Sequence, residues 1–228
     1  MTVKSLPKDE AAAPGESLAD RVYEYVTNCI LTGKWISGDI IDRKKIATTL
    51  NVSLAPVAEA VIRLDAEGFL ETAPRRHTRV RVVRREDVRD QLALRVALER
   101  QAILMAHGEP VRRARSHLIE LAEAVDSFRP KDPAAWPSEM VFHQAVVDLA
   151  GSSGLSVSYN RVMRRNYFFS LNSAHVALDV GNPPRNQHTL LVDGFCTDDP
   201  AEADQMILTH YRPDIEAMLR PSERNPPE

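Results

Sequence analysis

The stretch Leu50-Asn51-Val52-Ser53-Leu54-Ala55-Pro56-Val57-Ala58-Glu59-Ala60-Val61-Ile62-Arg63-Leu64-Asp65-Ala66-Glu67-Gly68 decides how this chain folds. Asn51-Val52-Ser53 is a tight turn, and Ser53 is placed to cap a helix. Pro56 falls in the first turn of that helix, where its missing N–H costs little. Val57, Ala60, Val61 and Leu64 then recur on one face, and Gly68 stops the run. Upstream, residues 42–50 form a shorter helix with Ile46, Ala47 and Leu50 inward. Helix, three-residue turn and second helix together predict a helix-turn-helix, with the N-terminus of the second helix free to enter a major groove.

Working outward, Leu18, Val22, Tyr25, Val26, Cys29 and Ile30 predict a preceding amphipathic helix with Ser17 as its cap and Gly33 as its stop. Downstream, residues 69–72 and 79–83 are rich in β-formers, and Ala73-Pro74-Arg75-Arg76-His77-Thr78 reads as the basic tip of a hairpin. The order is that of a winged helix-turn-helix. Arg75, Arg76, Arg79, Arg81, Arg84, Arg85 and Arg89 fall within 15 residues, a cluster that a phosphate backbone rewards by counterion release. The expected DNA contacts are Arg43, Lys44, Lys45, Ser53, Leu54, Ala55, Arg63, Arg75, Arg76, His77 and Arg79.

From residue 86 onward only helical periods are present, over 86–107, 110–128, 136–150, 155–178, 184–196 and 200–219, with Pro213 expected to kink or end the last. The fold class is therefore mainly α: an N-terminal winged helix-turn-helix with a small hairpin wing, then an all-α bundle. The expected organisation is a disordered arm over 1–16, the DNA-binding domain over 17–84, a helical metal- and effector-binding and dimerisation domain over 85–220, and a frayed tail over 221–228. The chain of 228 residues is long enough for two domains. Charge divides the same way. Residues 21–90 carry 13 Lys/Arg against 10 Asp/Glu, and residues 91–228 carry 14 against 18. No run of apolar residues is long enough for a membrane span, and the N-terminus has no secretory pattern. Cys29 and Cys196 lie far apart inside apolar patterns and are expected as buried thiols, which points to the cytoplasm.

The helical half holds four residues suited to a metal. Glu139 and His143 are four apart on one helix, so their side chains project within about 40° of each other. His188 and His210 lie on two later helices. One carboxylate and three imidazoles suit a divalent ion of the zinc, nickel or manganese class with positions left open. A hydrolytic metalloenzyme is the alternative use of such a set. It lacks an H-E-x-x-H pattern and would leave the N-terminal module without purpose.

Residues 18–83 resemble the GntR family of bacterial regulators. The resemblance is carried by Ile46-Ala47, Leu50-Asn51-Val52-Ser53, Pro56-Val57, Glu59-Ala60, Arg63-Leu64 and Ala66-Glu67-Gly68-Phe69-Leu70, then by Pro74, Arg76 and Val80 in the wing. The chain departs from that family at Leu54 and Ala58, where arginine is usual, at His77 for glycine, and at Arg43 for an acidic residue. These departures imply either an operator unlike the usual half-site or a member with degenerate DNA reading that acts by binding a metal, metabolite or protein partner. Residues 91–215 resemble the FCD ligand-binding domain of the FadR subfamily, through Glu139-Met140-Val141-Phe142-His143, Gln187-His188 and Met206-Ile207-Leu208-Thr209-His210, with Arg95 and Glu99 matching the opening helix. The resemblance implies a divalent metal on Glu139, His143, His188 and His210, with glutamate at 139 where aspartate is usual. It also implies a small carboxylate effector, for which Arg95, Tyr159, Asn160 and Asn172 are the candidate contacts. It further implies a homodimeric repressor on a pseudo-palindromic double-stranded operator, and no catalytic residues.

Overall fold

The computed structural model describes residues 17–73, 77–129, 132–172 and 187–219. The expected arm, the wing residues Pro74, Arg75 and Arg76, and the frayed tail lie outside them. The chain divides into two compact units, residues 1–82 and 83–228.

In the first unit, helix α1 (Leu18–Leu31) opens on a capping box: Ser17 accepts from the Asp20 N–H, and Asp20 accepts back from the Ser17 N–H. It buries Val22, Tyr23, Val26, Cys29 and Ile30. Helix α2 (Arg43–Leu50) is capped by Asp42, whose carboxylate accepts from Lys44 and Lys45 N–H, and it ends on Asn51 in the left-handed region at φ 51°. Helix α3 (Leu54–Ala66) follows and packs on α1 and α2. Ser53 holds the N-cap position, but its side chain makes no capping hydrogen bond. A cap serine accepts from the second or third helical N–H, and the third residue here is Pro56, which has none.

The wing differs from expectation in strand limits and strand number. Strands β2 (Leu70–Ala73) and β3 (His77–Val80) form the hairpin, with Leu70 opposite Val80 and Ala73 opposite His77. A third strand, β1 (Ile40–Ile41), pairs antiparallel with β3, giving the order β1-β3-β2. Because β3 is central, its limits are set by two neighbours rather than by its own alternation. His77 is therefore the first residue of a strand and not part of the tip.

The second unit contains α4 (Arg85–Ala106), α5 (Glu109–Asp126), a 3₁₀ turn (Pro133–Ala135), α6 (Trp136–Asp148), α7 (Ser153–Asn172), α8 (Gln187–Phe195) and α9 (Pro200–Leu219). Its core joins Val96, Ile103, Val111, Leu118, Phe142, Val146, Leu191, Phe195, Ile207 and Tyr211. Helix α9 does not end at Pro213. Its packing against α4 and α8 outweighs one lost backbone bond, and Arg85 donates to the Ala217 carbonyl at 2.8 Å, satisfying a terminal acceptor.

Candidate metal centre and nucleic-acid interface

Helix α6 presents Glu139 and His143, α8 presents His188, and α9 presents His210. The nitrogens of the three imidazoles come within 4.8 Å of one another. The Glu139 carboxylate stands 3.3 Å from His143 Nε2 and 3.4 Å from His188 Nε2. His143 Nε2, His188 Nε2 and His210 Nδ1 are buried without a hydrogen-bond partner among the described residues. Such orphaned nitrogens are costly unless something accepts their lone pairs.

The opposite ring edges are fixed. His143 Nδ1 lies 2.9 Å from Glu99 Oε2, and His188 Nδ1 lies 2.7 Å from Asp126 Oδ1. A carboxylate on Nδ1 holds the proton there and leaves Nε2 as a lone-pair donor, the usual outer support of a metal-bound imidazole. Asp126 is itself set by the backbone N–H groups of His188 and Thr189. Burial works to lower the His188 imidazole, but Asp126 and Glu139 outweigh it and raise it to about 9. Burial and the two neighbouring imidazoles hold His210 well below its ordinary value. Three nitrogens and one carboxylate, converging and deprotonatable, fit a borderline divalent cation.

Glu99 is the hub beneath this site. It is fully buried and takes hydrogen bonds from Arg95 Nε (3.1 Å), Tyr211 Oη (2.6 Å) and Tyr159 Oη besides its contact with His143. Burial opposes its ionisation, but His143, Arg95 and Tyr159 more than compensate, holding the carboxyl well below the usual range. Arg95 also reaches Glu139 Oε2 at 3.5 Å, so two carboxylates balance its charge.

Of the expected effector contacts, Arg95 and Tyr159 thus join the network. Asn160 does not: it is exposed, one residue and about 100° of helix from buried Tyr159. Asn172 donates to the Phe168 carbonyl of its own helix. Sequence reasoning missed Asp126 and Tyr211 and noted Glu99 only as a match. No local spacing marks an acid whose partner lies 44 or 62 residues away.

In the first unit, Lys44, Lys45, Ser53, Leu54 and Ala55 are all exposed. Other expected DNA contacts are engaged within the protein. Arg43 donates to Thr78 Oγ1 at 2.6 Å. Arg79 pairs with Glu71 at 2.7 Å, directly across the ladder. Arg63 bridges Asp20 (3.0 Å) and Glu67 (3.2 Å), with its guanidinium 3.8 Å from the Tyr23 ring centroid. His77 is partly buried.

A three-stranded wing on a helix-turn-helix, followed by an all-helical unit, defines a DNA-binding transcriptional regulator. The chain belongs to the GntR family: residues 18–80 match "Bacterial regulatory proteins, gntR family", and residues 90–213 match the FCD domain. It is 29% identical over 202 residues to a protein of Paenarthrobacter nicotinovorans named "Probable D-xylose utilization operon transcriptional repressor", covering 86% of this chain and 85% of that one. It is also 29% identical over 207 residues to the HTH-type transcriptional regulator Mce2R of Mycobacterium tuberculosis (strain CDC 1551 / Oshkosh), covering 82% and 85%. In fold it is similar to a GntR regulator from Rhodococcus sp. RHA1 (TM-score 0.67, 20% identity, 90% of this chain and 98% of that one). E. coli McbR/YncC is likewise similar (TM-score 0.62, 19% identity, 89% and 97%). The two sequence relatives are named as regulators of transcription, and the chain is a regulator rather than an enzyme. Among the described residues no helix is long and apolar enough to cross a membrane.

Proposed function

We propose that this GntR regulator is a metal-dependent repressor of the FadR type, released from DNA by a small carboxylate. Glu139, His143, His188 and His210 hold one divalent ion. The ion supplies a Lewis-acidic centre for carboxylate oxygens. Glu99 and Asp126 orient two of the imidazoles, and an effector carboxylate meets Arg95 beside the ion by displacing its 3.5 Å contact with Glu139. Two copies read a pseudo-palindromic operator in the cytoplasm, each through α3 and its wing. Effector binding favours one dimer geometry over another. What supports this reading above all is the convergence of three buried imidazole nitrogens that make no hydrogen bond among the described residues, two of them facing the Glu139 carboxylate.

The test is elemental analysis of the purified full chain, joined to selection of duplexes from a random pool with and without chelator. The expected result is one divalent ion per chain, lost in His188→Ala, and enriched palindromic duplexes that small carboxylates release. Metal-free protein with an unchanged duplex preference in chelator would overturn the metal's role. Absence of enriched duplexes would overturn the DNA reading.

A further inference from the structure

We infer that α3 recognises its operator through thymine methyl groups rather than guanine edges; this rests on the DNA-binding reading above. The first turns of α3 present an apolar arc outward, and the acid that shares this arc, Asp65, stands in the last turn. Taking 100° per residue, Leu54, Ala58, Ile62 and Ala55 lie within about 100° of one another. Ile62 is 71% exposed and Leu54 53% exposed, while Val57, Ala60, Val61 and Leu64 already fill the core on the other side. Exposed apolar side chains occur elsewhere in the chain, but Leu54 and Ile62 stand on the helix that a helix-turn-helix lays in the major groove. In the major groove the apolar feature of a base edge is the thymine C5-methyl, which alanine and other apolar side chains contact; guanine is read by arginine or lysine.

Helix α3 has a single basic residue, Arg63, and it is held by Asp20, Glu67 and the Tyr23 ring. No guanidinium of this helix is therefore free for guanine. Glu59, exposed beside the apolar arc, can accept from a cytosine amino group. Lys44 and Lys45, exposed on α2, which packs against α3, supply the positive charge a phosphate backbone requires.

The experiment starts from duplexes selected by the full chain. Each thymine in turn is replaced by deoxyuridine, which removes only the methyl, and Kd is measured for wild type and Leu54→Ser. The wild type is expected to lose about fourfold at two or more positions, the effect of one buried methyl group. Leu54→Ser is expected to abolish the loss at one of them. Leu54→Arg/Ala58→Arg, altered away from the core, is expected to select guanine instead. Enriched duplexes indifferent to every uracil, or a wild type that selects guanine at the α3 contacts, overturn the inference while leaving DNA binding intact. Failure to enrich any duplex overturns the DNA reading itself, and this inference with it.

Discussion

Helix α3 leaves Leu54 and Ile62 in water, whereas α4 takes Arg95 and Glu99 out of it. Each arrangement costs free energy by itself: exposed hydrocarbon forgoes burial, and a buried ion must be paired and hydrogen-bonded. Stability alone would select neither. In the first unit ordinary charges serve as bracing, as with Arg63 and Arg79, and Leu54 and Ile62 are left outside. In the second unit the charges are gathered under a cluster of imidazoles. The contrast separates what each unit does to hold itself together from what it presents to something else.

The largest expected effect breaks the buried side of this contrast. Glu99→Ala leaves Arg95, His143, Tyr159 and Tyr211 without their shared acceptor and should cost about 3–5 kcal/mol, read by denaturant unfolding of the full chain. A loss below about 1 kcal/mol would mean that the network is dispensable. Next in size, chelation of a bound ion should destabilise the protein by about 2.7 kcal/mol, relative to ion present at a hundredfold excess over Kd. Thermal melts of wild type with and without chelator measure this, and His188→Ala should be insensitive to chelator.

Arg63→Ala sharpens the other side. Losing its stack on Tyr23 should cost about 0.5–1 kcal/mol, and the selected duplex sequence should not change. A changed base preference would return Arg63 to the reading surface. The smallest effect is expected of Lys44→Ala. Melting should stay within about 0.5 kcal/mol of wild type, while the slope of log affinity against log salt falls by about one unit if Lys44 neutralises a phosphate.

Much of this was legible in the sequence, for reasons that can be stated. The helices announce themselves by period, and those of the first unit also by Ser17, Asp42, Asn51 and Gly68. Strand β1 is two residues long and has no period to detect, so the third strand was invisible. Without it the limits of β3 were placed two residues too far along at its start, and His77 was read as part of a turn. Glu139 and His143 share one face of a helix and can be paired by spacing. His188 and His210 were set beside them by residue type alone, with no spacing to join them, and the resemblance to the FCD domain supplied the link. Glu99 and Asp126 look like any other acid on a helix, because nothing local says that a carboxylate will be buried against a distant imidazole. Tyr159 and Asn160 show the converse limit: neighbours on a helix point about 100° apart, so naming both for one pocket could serve only one of them.

The four candidate ligands are not equally anchored. His143 and His188 are clamped on their far edges and leave almost no side-chain surface exposed, whereas Glu139 retains 24% exposure on its side chain. An ion held by these residues would rest on two clamped imidazoles and on a more exposed carboxylate. Exchange of the metal and entry of a competing anion would meet Glu139 before either clamped ring. A library meant to retune the centre for a different ion should begin at position 139, the most exposed of these three side chains, where a change of arm length also alters the contact with Arg95.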